Sequence, residues 1–117
     1  MIESSLRNVY GNPDLVTPQL IERYYELSLR AGNRAALIQR FSQRDDPTLN
    51  QARISQLSVP TLILWGGRDR LIPPANAELF RAAIQGSQLQ MFDMLGHVPQ
   101  EEDPASTVAA VEAFLSQ

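Results

Sequence analysis

The chain carries one histidine and no cysteine, so an imidazole that moves protons can only be His97, and thiolate nucleophiles, thiolate metal sites and disulfides are excluded together. His97 stands in Asp93-Met94-Leu95-Gly96-His97-Val98, and earlier in the chain Asp69 stands in Gly66-Gly67-Arg68-Asp69-Arg70. Each stretch follows an apolar run of strand length. In parallel α/β sheets, ligands and catalytic groups gather where strands end at their carboxyl side, because the loops there are free of the packing that fixes the strand. An Asp just past one strand and a His just past the next share one edge of such a sheet. In contact they form an orienter and a base. The carboxylate keeps one imidazole nitrogen protonated and steadies the imidazolium, leaving the other nitrogen to take a proton from a nucleophile. Without that contact the same residues are ordinary: a lone His is a surface or hydrogen-bonded structural residue, and Asp69 between Arg68 and Arg70 is a solvated turn.

Those loops need a sheet behind them. Val59 to Trp65 (VPTLILW) is apolar without polar alternation, the pattern of a strand buried on both faces of a parallel sheet, and Gly66 and Gly67 end it. Pro73, Pro74, Leu79, Phe80, Ala83 and Ile84 predict a helix that Gly86 stops, and Gln88 to Phe92 predicts a second strand. Asp103 and Pro104 open a last helix with Val108, Val111, Phe114 and Leu115 on one side. Strand, helix, strand, helix makes a right-handed parallel unit whose faces and outer edges want partners.

The first half reads as helices. Thr17 and Pro18 have the form of an N-cap and a first helical position, and Leu20, Ile21, Tyr24 and Leu27 recur at helical spacing. Gly32 suits the left-handed end of this helix, and Asn33 is expected to cap the next, in which Leu37, Ile38 and Phe41 share a face. Asp46 and Pro47 repeat the cap-then-proline signal ahead of a weaker third helix over Leu49 to Leu57. The opening residues, with Gly11, Asn12 and Pro13, read as a partial helix and a loop. Composition shifts once, near Val59.

Ten Lys plus Arg against thirteen Asp plus Glu give a net charge of −3, with no basic run, so neither nucleic acid nor an anionic membrane is an expected partner. The 44% hydrophobic and 20% charged fractions are those of a globular domain, which excludes disorder. No apolar stretch approaches the ~18 to 20 residues of a membrane span. The cysteine-free composition and the lack of a basic then apolar segment after Met1 make the cytoplasm the expected compartment.

The run Pro60-Thr61-Leu62-Ile63-Leu64-Trp65-Gly66-Gly67-Arg68-Asp69, followed by Gly96-His97-Val98-Pro99-Gln100-Glu101-Glu102-Asp103-Pro104, resembles the C-terminal end of an α/β-hydrolase-fold enzyme. The resemblance implies an α/β fold in which Asp69 is the triad acid and His97 the triad base. It implies two parallel strands with helices from the hydrolase core over residues 59–117, and part of the helical cap or lid over 1–58. Cap helices close over the pocket in that family. Tyr24, Tyr25, Ile38 and Phe41 are therefore candidate substrate-lining residues, each open to the plainer reading of helix packing, and Met94 and Val98 beside His97 are candidate pocket walls.

The family's nucleophile lies on a G-x-S-x-G elbow that precedes the acid and the base, and no such pattern occurs here. The expectation is a C-terminal fragment of a larger hydrolase of esters, thioesters, amides or C–C bonds. Its small-molecule substrate is bound with the missing part, no metal or cofactor is needed, and the 117 residues alone are inactive. The alternative is a non-catalytic module that self-associates into a homo-oligomer, or binds another chain, through its exposed strand edges.

Overall fold

A computed structural model describes residues 1–43 and 47–117, with the side chains of 47–50 left aside. Helix α1 (Ile2–Val9) is followed by a short 3-10 turn (Pro13–Leu15), then α2 (Pro18–Leu29), α3 (Asn33–Ser42) and α4 (Pro47–Ile54). Strand β1 (Leu62–Gly66), helix α5 (Ala75–Ala83), strand β2 (Gln88–Phe92), the one-turn helix α6 (Pro99–Glu102) and α7 (Pro104–Leu115) complete the chain. The opening residues thus form a full two-turn helix where a partial one was expected. The expected cap at Asp46 lies outside the described residues.

Local chemistry explains most boundaries. Thr17 Oγ1 accepts from the Leu20 amide at 3.2 Å and Pro18 occupies the first turn of α2, so an otherwise unpaired amide is satisfied. Asp103 does the same for α7, accepting from the Ser106 amide at 3.1 Å. Gly32, at φ +88°, takes the left-handed conformation that ends α2 and turns the chain into α3. Asn33 does not cap α3. Its Nδ2 instead donates to the Leu27 carbonyl at 2.7 Å, satisfying an acceptor at the end of α2.

The two strands pair in parallel, Leu62 opposite Gln88 through Gly66 opposite Phe92, with α5 as the crossover. β1 begins at Leu62, three residues after the apolar run does, because Pro60 has no amide to donate. The Thr61 carbonyl still accepts from Gln88 N at 2.9 Å. Ala77 and Ile84 are the buried apolar positions of the crossover, and the ring of Trp65 on β1 lies 5.9 Å from that of Phe80.

The other packing centre lies between the halves. Leu6, Tyr10 and Val16 are buried, and Ile2, Val9, Leu20, Ile21 and Tyr24 pack against them together with Val98, the neighbour of His97. The apolar residues of α1 and α2 therefore set the height at which the His97 loop sits. The stripe on α7 is covered less than its pattern suggests, since Val108 and Leu115 remain 53% and 75% exposed.

Candidate active site

The strand ends build the site. Past β1 and β2 the loops are stitched together by the Gly67 amide donating to Phe92 O and the Arg68 amide donating to Leu95 O, both at 2.8 Å. A turn closed by Asp69 N to Gly66 O, 3.2 Å, then aims the Asp69 side chain inward. Its Oδ1 accepts from the Leu71 and Ile72 amides at 2.8 and 2.9 Å, and its Oδ2 lies 2.8 Å from His97 Nδ1, 28 positions along the chain. Burial by itself pushes this carboxyl up. The Ile72 amide, the His97 ring and the Leu71 amide outweigh that effect and hold it below the usual carboxylate range. His97 keeps 34% of its side chain exposed against 4% for Asp69, and its Nε2 has no partner among the described residues. A buried carboxylate on Nδ1 with Nε2 open is the arrangement of an orienter and a base.

The backbone behind His97 is held from the other side. His97 N donates to Val9 O at 2.8 Å, so the end of α1 abuts the loop directly. The approach is so close that a Cβ on Gly11 would lie 2.5 Å from Met94 O and 2.6 Å from Gly96 N. Arg70 locks the same junction, donating from Nη1 to the carbonyls of Arg7, Asn8 and Tyr10 and from Nη2 to that of Gly11. Two adjacent carboxylates complete it. Glu101 accepts from the hydroxyls of Tyr10 and Tyr24, each at 2.8 Å, and Glu102 accepts from the amides of Gly96, Gly11 and Asn12 at 2.6, 2.9 and 3.2 Å. Burial, and then the bond to Glu101, push the Tyr24 phenol up to about 12 and that of the buried Tyr10 further.

Two hollows meet at His97. A smaller one of about 280 Å³ is lined by Leu64, Trp65, Gly66, Asp69, Ile72, His97 and Pro99. A larger groove of about 520 Å³ runs between α1 and α2, and its lining includes Leu6, Val9, Tyr24, Ser28, His97 and Val98. Tyr24 and Val98 are thus brought to the His97 groove, and Met94 and Phe41 are absent from its lining. Met94 is 59% exposed and its sulfur accepts from Arg68 Nη2, while Phe41, 81% exposed, stands out from α3 alongside Ile38. Tyr25 faces a separate hollow with Met1, Ile2, Glu3 and Ile21. Among the described residues no acidic, His or Cys cluster has the makings of a metal site.

Sequence reasoning did not find Tyr10, Gly11, Arg70 or Glu102 as parts of the site. The signals available were the glycine in a tight loop and the Glu pair within the Gly-His stretch, but Arg70 and Glu102 meet main-chain atoms, which have no residue type, and Tyr10 meets Glu101 from 91 positions away.

With this geometry in hand, comparison with known proteins is decisive for class. The model of the family described as alpha/beta hydrolase fold matches residues 2–104, and the chain belongs to that family. It is 31% identical over 108 residues to a 2-hydroxymuconate semialdehyde hydrolase of Pseudomonas putida, covering 88% of this chain and 38% of that protein. It is 36% identical over 61 residues to lipase 3 of a Moraxella species, covering 52% of this chain and 19% of that one. The solved structure of a meta-cleavage product hydrolase from Pseudomonas fluorescens shares the fold, with a TM-score of 0.80 at 24% identity over 98% of this chain and 44% of the other. The chain spans less than half the length of each of these proteins.

Proposed function

We propose that these residues supply the acid and the base of a Ser-His-Asp hydrolase, with Asp69 orienting His97 and His97 taking the proton of a serine carried by polypeptide outside the 117 residues. The observation that carries this reading is the 2.8 Å contact from Asp69 Oδ2 to His97 Nδ1, with Asp69 Oδ1 occupied by two amides and Nε2 left open. In the reaction, His97 Nε2 accepts the serine proton as the oxygen attacks an ester, thioester, amide or activated C–C bond. It then returns that proton to the leaving group, and water repeats the sequence on the acyl-enzyme. The hollow between Trp65, Asp69 and His97 is where the elbow docks, and the groove lined by Leu6, Val9, Tyr24 and Val98 receives the apolar part of the substrate. Residues 1–58 act as part of the lid and 59–117 as part of the core. The relatives' names, a 2-hydroxymuconate semialdehyde hydrolase and a lipase, support a hydrolytic reaction.

The test is to express the 117 residues joined to, or mixed with, the nucleophile-bearing half of the hydrolase and to assay nitrophenyl esters and vinylogous diketones. Turnover that His97→Ala abolishes supports the reading, and undiminished turnover in His97→Ala sinks it.

A second reading rests on the two-stranded sheet, in which β1 and β2 each present one unpaired edge among the described residues. In that reading the chain is a non-catalytic module that pairs with a second copy through those edges, and a sedimentation mass of 13.1 kDa, that of a monomer, overturns it.

A further inference from the structure

We propose that Glu102 is a positioning residue for His97, its carboxylate setting the backbone from which the imidazole meets Asp69. The inference rests on reading His97 as the base, and its test reads the imidazole itself. The chain leaves Gly96, passes through His97 and turns through α6, whose last residue is Glu102. Glu102 Oε1 then reaches back six positions to accept from the Gly96 amide at 2.6 Å. The segment that bears His97 is in this way closed into a ring by a short charge-assisted bond. The next amide, that of His97, is tied to Val9 O at 2.8 Å, so both donors that flank the Gly96 unit are committed. Because Glu102 Oε2 also accepts from Gly11 and Asn12, one carboxylate clamps the ring to the α1 junction that Val9 forms.

The arrangement has a requirement of charge. The three donors are main-chain N–H groups converging on two oxygens, and only an ionised carboxylate offers acceptors on both sides. A glutamine has one oxygen and turns an N–H₂ toward the remaining amides. A base is useful only when held within about 0.5 Å of its working position, and His97 is held by Asp69 at its tip and by this ring at its root. The neighbouring Glu101 has no such part, since its oxygens go to the hydroxyls of Tyr10 and Tyr24.

His97 is the chain's one histidine, so every imidazole signal in a ¹⁵N-labelled sample belongs to it. Which ring nitrogen keeps the proton in the neutral form is set by the hydrogen bond that nitrogen makes. In the neutral ring the wild type is expected to hold the Nδ1–H form, with a downfield Nδ1 proton bonded to Asp69. Glu102→Gln is expected to lose that proton and shift the ring to the Nε2–H form, whereas Glu101→Gln, with the same loss of charge one residue away, keeps both. A folded Glu102→Gln with the wild-type tautomer overturns the proposal. Where Glu102→Gln does not fold, the wild-type chain decides: a through-hydrogen-bond coupling between the Gly96 amide nitrogen and the Glu102 ¹³Cδ is expected, and its absence overturns the proposal. Full hydrolysis by a complete enzyme bearing His97→Ala removes the catalytic reading but leaves the tautomer result standing, so the two fail separately.

Discussion

At Asp69 the acidic and the catalytic consequences separate cleanly. Its carboxyl is held below the usual range, so the stability it contributes is present in full above the unfolded value of about 3.9 and is lost as pH falls through the lower folded value. Urea midpoints for the wild type and Asp69→Asn, measured from pH 6 to pH 2, are expected to differ most at the upper end and to converge toward the acid end. In a hydrolase that contains the nucleophile, Asp69→Asn should lower kcat roughly 10⁴-fold, the loss found when an orienter becomes an amide and the base takes the wrong tautomer. Tyr24 behaves oppositely. Its phenol is raised to about 12, so the stabilisation it brings is present below the ordinary value near 10 and disappears as pH rises through about 12. A phenolate absorbance titration should show a late step near pH 12 that Tyr24→Phe removes. The Asp69–His97 pair was readable from sequence because His97 is the chain's one histidine and each residue follows a strand. Glu102 was not, because its partners are amides of Gly11, Asn12 and Gly96, and a bond from side chain to main chain leaves no second letter to match.

Among the elements, legibility follows locality. Thr17-Pro18 and Asp103-Pro104 start helices where expected because a cap is satisfied within three residues. Thr17→Ala should therefore destabilise the chain by about 1 kcal/mol, read by chemical denaturation, without moving the His97 signals. Strand β2 matches its sequence bounds, whereas β1 is shorter than its apolar run, since hydrophobicity alone does not register a missing proline amide. What no local pattern reports is the meeting of α1 with the His97 loop. Gly11 and Gly96 let two main chains touch there, and the clash any side chain would make is with backbone. Gly96→Ala is accordingly expected to cost roughly 3 kcal/mol, the upper end of overpacking penalties, and thermal melts of this variant beside Gly32→Ala will separate close approach from the strain of positive φ. The exposed faces of α3 and α7 show the converse. Their apolar periodicity predicts helices correctly, yet it cannot say what lies opposite, and Phe41 stands out at 81% exposure.

The molecule taken whole is open. Its accessible surface is 8570 Å², against the ~6400 Å² that a compact monomer of 13.1 kDa presents, and its radius of gyration is 16.2 Å where roughly 13 to 14 Å is usual for this length. The excess follows from a two-stranded parallel sheet, a form that is ordinarily covered on both faces. The sequence showed this need through its order of strand, helix, strand, helix. At this scale the 117 residues alone are expected to hydrolyse a nitrophenyl ester at the buffer rate, because an acid and a base without a nucleophile or oxyanion donors give little transition-state stabilisation. Ester hydrolysis by the purified chain that His97→Ala abolishes would contradict that expectation.

Trp65 gives this openness an optical consequence. It is the chain's one tryptophan, and its Nε1 is buried with no hydrogen-bond partner among the described residues. An indole N–H in that condition is costly to hold and eager for an acceptor, and it lines the same hollow as Asp69 and His97. The protein therefore carries a built-in fluorophore in the hollow proposed above as the docking place of the elbow. Arrival can be followed by the colour and quenching of one emission band, with no label attached.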